Sequence, residues 1–291
     1  MLKRILTAAI LGILALSLTL PGLAAVHVDV TPPEDWQERE LLTLTVFRTG
    51  EGDAMLLQCG GEAMMVDGGP YKYREKLRDA LTDRGISHFK YIFSTHPHDD
   101  HVEGLRMLLS YGFTADEFIS LFPKSYSYDL QQKIVRQIDR SGVTYRQLQD
   151  GESFTLGGAV ITVYWWEKGK TIDAKCPIAR VEFGDSSALL CSDIIGDTQQ
   201  YYLKTLDAAF LKADVVKAPH HGITPFQPDF LDAVSPAFVF VTNYANYGTD
   251  LTKFKNQMKN RQLPAKYSGD GTVYLETDGT DWYVYQTLNE F

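Results

Sequence analysis

The residues best suited to chemistry in this chain are Ser94-Thr95-His96-Pro97-His98-Asp99-Asp100-His101. Three imidazoles and two carboxylates fall within six positions. Neutral imidazole and carboxylate are the usual ligands of zinc, manganese and iron. Six residues do not close one tetrahedron comfortably, but His96 and His98 can serve one ion while Asp100 and His101 serve a second. A His-rich polar loop is the plain alternative. The chain has only seven His, however, and three of them lie here. Two further stretches carry similar groups. Ser192-Asp193-Ile194 follows an apolar run, and His220-His221-Gly222 follows Asp214 to Pro219. A lone His after a strand is usually a satisfied core residue. Two in succession, in a chain with five others, shift that balance.

These groups need elements to aim them. Tyr91-Ile92-Phe93 reads as a strand delivering the chain into the His-rich turn. Leu42 to Phe47, Met55 to Gln58 and Ala63 to Val66 read as meandering strands separated by glycine turns. Tyr73 to Arg84 has helical spacing, with Leu77, Ala80 and Leu81 on one side. His101 opens another helix through Leu109. A strand around Phe118, a helix Asp129 to Asp139 and a strand around Val143 follow. Val160 to Trp165 leads to the pair Trp165-Trp166, expected to be one core face and one rim. Ile178 to Phe183 and Ala188 to Ser192 form a hairpin. A helix Gln199 to Phe210, strands Asp214 to Pro219 and Phe238 to Thr242, and a helix Asp250 to Asn260 complete the pattern. Gly269-Asp270-Gly271-Thr272 is expected to be the turn between the last strands.

The pattern H-x-H-x-D-H at His96 to His101 resembles the metallo-β-lactamase superfamily. The pieces G-x-G-D-A (Gly50 to Ala54), V-D-G-G (Val66 to Gly69) and K-x-P-H-H-G (Lys217 to Gly222) are similar to its ComEC-like competence-protein branch and to secreted phosphorylcholine esterases. The resemblance spans Leu42 to Tyr285. It implies an α/β fold, a four-layer αβ/βα sandwich in a single domain, residues 41–291. It implies metal ligation by His96, His98, Asp100, His101, Asp193 and His220, with Asp193 bridging two ions and Asp67 beside them. Departures are Glu103-Gly104-Leu105 where the family has Gly-Gly-Leu, Ser192 before the bridging acid, and Thr249 in place of a His after Asn246-Tyr247-Gly248.

Ligand counting gives Asp100, His101, Asp193 and His220 to one ion but only His96, His98 and Asp193 to the other. Many superfamily members supply one more His before the bridging Asp, and no His lies between His101 and His220. Asp173 and Cys176 stand near that place, so one or two ions per chain, Zn or Mn, are expected. Water on such ions loses its proton near neutral pH, and the hydroxide attacks phosphorus or a carbonyl carbon. Asp100 is the candidate to orient the nucleophile, Lys217 to hold a phosphate oxygen, and His221 to protonate a leaving group. The resulting expectation is a phosphodiesterase. The alternatives are a lactonase or β-lactamase on the same fold, and a non-catalytic binding protein on a worn site.

Composition narrows the setting. Net charge is −9; without Lys3 and Arg4, the only charges in the first 25 residues, it becomes −11. Such a body does not support wrapping of nucleic acid, which needs a basic face, and suits a small or isolated phosphodiester better; a nucleic-acid substrate stays open if a local basic groove exists. Residues 1–25 read as a signal peptide: a basic start, an apolar run Ile5 to Leu20, then Pro-Gly and small residues. The run is short for a membrane anchor, the one form in which the chain would meet a membrane. Either reading puts the folded part outside the cytoplasm, with residues 26–40 as a linker. Cys59, Cys176 and Cys191 are expected to be unpaired small residues in or beside strands. Cys191, two positions before Asp193, is a candidate metal neighbour.

Overall fold

The computed structural model describes residues 24–246 and 251–291. Residues 1–23 of the expected leader (1–25) and the Thr249 departure lie outside the described residues. Strands β1 (Ala25–Val28), β2 (Leu42–Val46), β3 (Ala54–Cys59), β4 (Glu62–Gly68), β5 (His88–Ser94), β6 (Thr114–Ser120) and β7 (Thr144–Gln147) belong to one sheet. Between them come helices α1 (Arg74–Asp83), α2 (Asp99–Ser110) and α3 (Asp129–Ser141). A second sheet holds β8 (Glu152–Leu156), β9 (Ala159–Tyr164), β10 (Ile178–Phe183), β11 (Ser186–Leu190), β12 (Val215–Lys217), β13 (Phe238–Val241) and β14 (Ala265–Tyr267). Its helices are α4 (Gly196–Thr205), α5 (Ala208–Leu211), α6 (Pro228–Val234) and α7 (Thr252–Arg261). The chain then returns to the first sheet as β15 (Gly271–Thr277) and β16 (Asp281–Leu288).

Alternation along the strands builds the layers, because successive side chains point to opposite faces. Leu57, Met64, Val66 and Phe93 of the first sheet meet Ile161, Val163, Val181, Leu190, Val215 and Phe240 of the second in one core. Leu56, Met65, Phe89 and Ile92 face the other way, onto Leu77, Leu105, Leu108 and Ile134 of the helices. Leu189, Val216, Val239 and Val241 pack likewise on Tyr202, Phe230 and Phe254. Helix, sheet, sheet and helix therefore stack in four layers, as the family resemblance implies.

Parallel pairing decides where the site falls. Strand β4 runs parallel to β5, and β11, β12 and β13 run parallel to one another. Their carboxyl ends lie together in each sheet, the usual position for ligands in α/β layers. Helix α2 is drawn tightly onto the end of β4. A Cβ on Gly104 would overlap the Gly68 carbonyl oxygen, so this position of the Glu103-Gly104-Leu105 segment is sterically fixed.

Several expectations change. The linker at 26–40 carries β1, which pairs with β16, and a single turn that buries Trp36 with its indole N–H donated to Glu276 at 3.0 Å. The helix expected over 199–210 breaks at Leu206, where Asp207 caps α5 by accepting from the Ala209 amide. Gly269 to Thr272 is not the final hairpin turn. It connects the two sheets, and Asp278 to Thr280 make the turn between β15 and β16. Strands β8 and β14 and helix α6 are too short, or too irregular in pattern, to stand out in the sequence. All three cysteines are buried and unpaired.

Candidate metal centre

The His-rich turn leaves β5 at Ser94 and enters α2 at Asp99, with Asp99 and Asp100 in the helix's first turn. Carboxylates are favoured there by the exposed amides and the helix dipole. Asp193 follows the end of β11, and His221 follows β12. Asp67 (φ 51°), Ser192 (φ 38°), His220 (φ 45°) and His221 (φ 54°) all adopt left-handed backbone. L-residues take that conformation at a cost, and it concentrates where a fold must aim a side chain against its preference.

Four donors converge in the interior. The Oδ2 atoms of Asp193 and Asp100 stand 3.2 Å and 3.1 Å from His221 Nε2, and His101 Nε2 lies 3.3 Å from the same nitrogen. Asp193 Oδ2 is also 3.2 Å from His101 Nε2. The other ring nitrogens are engaged behind. His101 Nδ1 donates to Asp67 Oδ2 at 2.8 Å. His221 Nδ1 faces Thr242 Oγ1 at 2.9 Å and Asp53 Oδ1 at 3.2 Å. With the Nδ1 protons committed there, two Nε2 lone pairs and two carboxylate oxygens point at one another. Acceptors repel unless a cation lies between them. Asp193 Oδ1 is shielded from water and accepts no hydrogen bond, with the Lys217 ammonium 3.6 Å from it. The donor set fits a divalent ion, with the acid–histidine backing typical of metal centres.

The protonation behaviour agrees. Burial opposes charge on His101 and His221, yet Asp193 and the neighbouring carboxylates prevail and hold both pKa values well above the ordinary histidine range. Burial alone would raise the Asp193 carboxyl, but His101 and His221 draw it well below the usual range. His96, by burial and by the charge of His101, is held well below its free value. Without an ion the interior collects protons to balance its carboxylates. An ion does the same and must displace them.

A second, shallower group adjoins. His96 Nε2 lies 3.1 Å from His98 Nδ1 and 3.7 Å from Asp193 Oδ2. His98 Nδ1 is 3.5 Å from Asp173 Oδ1. Donor atoms of His96, Asp173 and Cys176 also lie within 4.8 Å of one another. Asp193 is common to the deep group and to the set His96, His98, Asp193.

The structure redistributes several expected roles. His221, not His220, joins Asp100, His101 and Asp193. Two successive left-handed residues turn the chain so that His221 points inward, while His220 stays 26% exposed with Nε2 3.7 Å from Asp193 Oδ2. A leaving-group role for His221 therefore gives way to a ligand position. Lys217 cannot meet a phosphate. Its side chain is 0% exposed, 2.9 Å from Asp53 Oδ2, and donates to the Ser192 carbonyl at 2.7 Å. Burial works against its charge, but Asp53 and Asp193 more than restore it. Cys191 and Cys176 both belong to the outer apolar cluster, but it is Cys176 whose sulfur also lies near His96 and Asp173. Trp165 is buried and Trp166 stacks on Tyr201 at 4.8 Å, so the pair divides between core and rim as expected. Asp53, read as part of a glycine turn, was the missed residue. An acid inside G-x-G-D-A, directly before an apolar strand, was the signal.

Residues 48–160 match the metallo-beta-lactamase superfamily. The chain also superposes on the metallo-beta-lactamase fold protein YhfI from Bacillus subtilis, with TM-score 0.51 and 11% identity, over 78% of this chain and 96% of that one. The fold is that of the metallo-beta-lactamase superfamily. A mutant of the CmlA beta-hydroxylase, an enzyme of Streptomyces venezuelae, gives TM-score 0.52 and 13% identity over 82% of this chain and 53% of its own. No curated protein matches in sequence. The metallo-beta-lactamase match ends inside β9, so Asp193 and His221 lie beyond it, and geometry alone joins them to the H-x-H-x-D-H turn.

Proposed function

We propose that this chain is an exported metal-dependent hydrolase acting on a phosphodiester. The observation that carries the hydrolase reading is the convergence of two bare imidazole nitrogens and two carboxylates on one buried point. Divalent ions held there would polarise a phosphoryl oxygen and lower the pKa of water to near neutrality. The protein supplies the rest. Asp100, 26% exposed, is the deep-group carboxylate facing solvent and orients the nucleophile. His220 stands at the mouth and takes the leaving-group role first expected of His221. The Tyr128 ring lies 6.2 Å from that of His98, and burial together with Asp99 and Asp100 keeps its phenol protonated, a donor for a substrate oxygen.

The ComEC-like resemblance supports the phosphodiester. G-x-G-D-A contributes Asp53, V-D-G-G contributes Asp67 and K-x-P-H-H-G contributes Lys217 and His221, and all four meet at one centre. Export rests on the composition of residues 1–25, and recovery of the chain outside the cytoplasm with a new N-terminus near residue 25 checks it. For activity, the full chain should turn over bis-p-nitrophenyl phosphate, lose that activity with a chelator and regain it with Mn or Zn. Preferential cleavage of a chromogenic cephalosporin or a lactone would overturn the phosphodiester reading. Bound ions with no turnover on any of the three would point to a binding protein.

A further inference from the structure

The shallow group has too few ligands by the expected pattern, and the structure places a carboxylate where the missing one should stand. We propose that Asp173 completes the shallow ion position, so that both positions carry the same donors: two imidazoles, one carboxylate of their own and the shared Asp193. This rests on the reading that the site binds divalent ions.

Three observations carry it. Asp173 Oδ1 is shielded from water yet accepts no hydrogen bond, and it lies 3.5 Å from His98 Nδ1. A carboxylate oxygen in that state is costly unless a cation meets it. The turn holding it is fastened from several sides. The Ala174 amide donates to Thr171 Oγ1 at 3.1 Å, Thr198 Oγ1 of α4 donates to the Ala174 carbonyl at 3.2 Å, and Tyr202 Oη donates to the Cys176 carbonyl at 3.0 Å. The carboxylate's place is therefore built into the packing. Charge also balances: Asp67, Asp100, Asp173 and Asp193 bring four negative charges against four from two divalent ions, while Lys217 offsets Asp53. Cys176 is the rival ligand, since its sulfur also lies near His96.

Metal content of the full chain, measured by mass spectrometry after dialysis against Mn or Co, tests this directly. Wild type should hold two ions, Asp173→Ala one, and Asp173→Glu more than Asp173→Ala. Circular dichroism matching wild type shows that the variants fold; where Asp173→Ala does not fold, the near-isosteric Asp173→Asn carries the same comparison. The cobalt form should lack a thiolate-to-cobalt charge-transfer band. Two ions in wild type and two in Asp173→Ala would overturn the proposal while leaving the hydrolase reading intact, as would such a band that disappears in Cys176→Ala. A single ion in wild type would also overturn it. No ion in wild type would remove the reading itself.

Discussion

The deep and shallow halves of the site share Asp193 but differ in what stands behind them. His101 and His221 are each backed by a buried acid, Asp67 and Asp53, and Lys217 balances Asp53. His96 is backed only by hydroxyls, Thr95 Oγ1 at 3.1 Å and Ser192 Oγ at 3.5 Å. His98 and Asp173 are 30% and 28% exposed. Backing by a carboxylate fixes the tautomer and strengthens the donor nitrogen; a hydroxyl does so less. The deep half should hold its ion firmly, and the shallow half should exchange its ion with solvent. One shared carboxylate would then couple a firmly held position to a labile one.

The largest test of that coupling is Asp193→Ala. It should empty both positions and reduce hydrolysis to background; unchanged metal content would refute the shared ligand. Next comes Lys217→Met, which leaves Asp53 buried without its cation. A loss of about 3–5 kcal/mol in unfolding free energy is expected, read by denaturant titration. A change confined to KM for phosphodiesters would instead restore Lys217 as a substrate contact. Asp67→Asn should weaken the deep ion by roughly 10–100-fold, measured by competition with a chelator, and Ser192→Ala should affect the shallow ion less. Equal effects would erase the difference between the halves.

The smallest test uses pH. His101 and His221 have raised pKa values when folded, so their contribution to ion-free stability is complete below the free value of about 6.5 and is lost as pH rises through the folded values. Ion binding runs the other way, because it displaces those protons. The increase in Tm on adding Mn should therefore be small near about pH 5.5 and grow toward about pH 8.5. A constant increment would mean that neither imidazole is a ligand.

The sequence made the fold legible because apolar alternation marked most strands and the H-x-H-x-D-H turn marked the centre. It named Asp193 outright but located the last contributor only to within a residue. Whether His220 or His221 points inward depends on two left-handed residues after Pro219, and no spacing rule encodes that. Lys217 misled for a related reason. A lysine ending a strand usually reaches water, and only the pairing with Asp53, 164 positions earlier, shows why this one does not. Asp53 itself was hidden in a glycine-rich turn. Such roles arise from contacts between distant segments, which local pattern does not carry.

The central claim is that a divalent ion lies among Asp100, His101, Asp193 and His221. Anomalous diffraction at the metal edge, from crystals of the protein grown with Mn or Zn, tests it most directly. A strong peak between Asp193 Oδ2, Asp100 Oδ2 and the two Nε2 atoms is the expected result. No peak there, with the four side chains hydrogen-bonded to one another as protonated groups, would contradict the account.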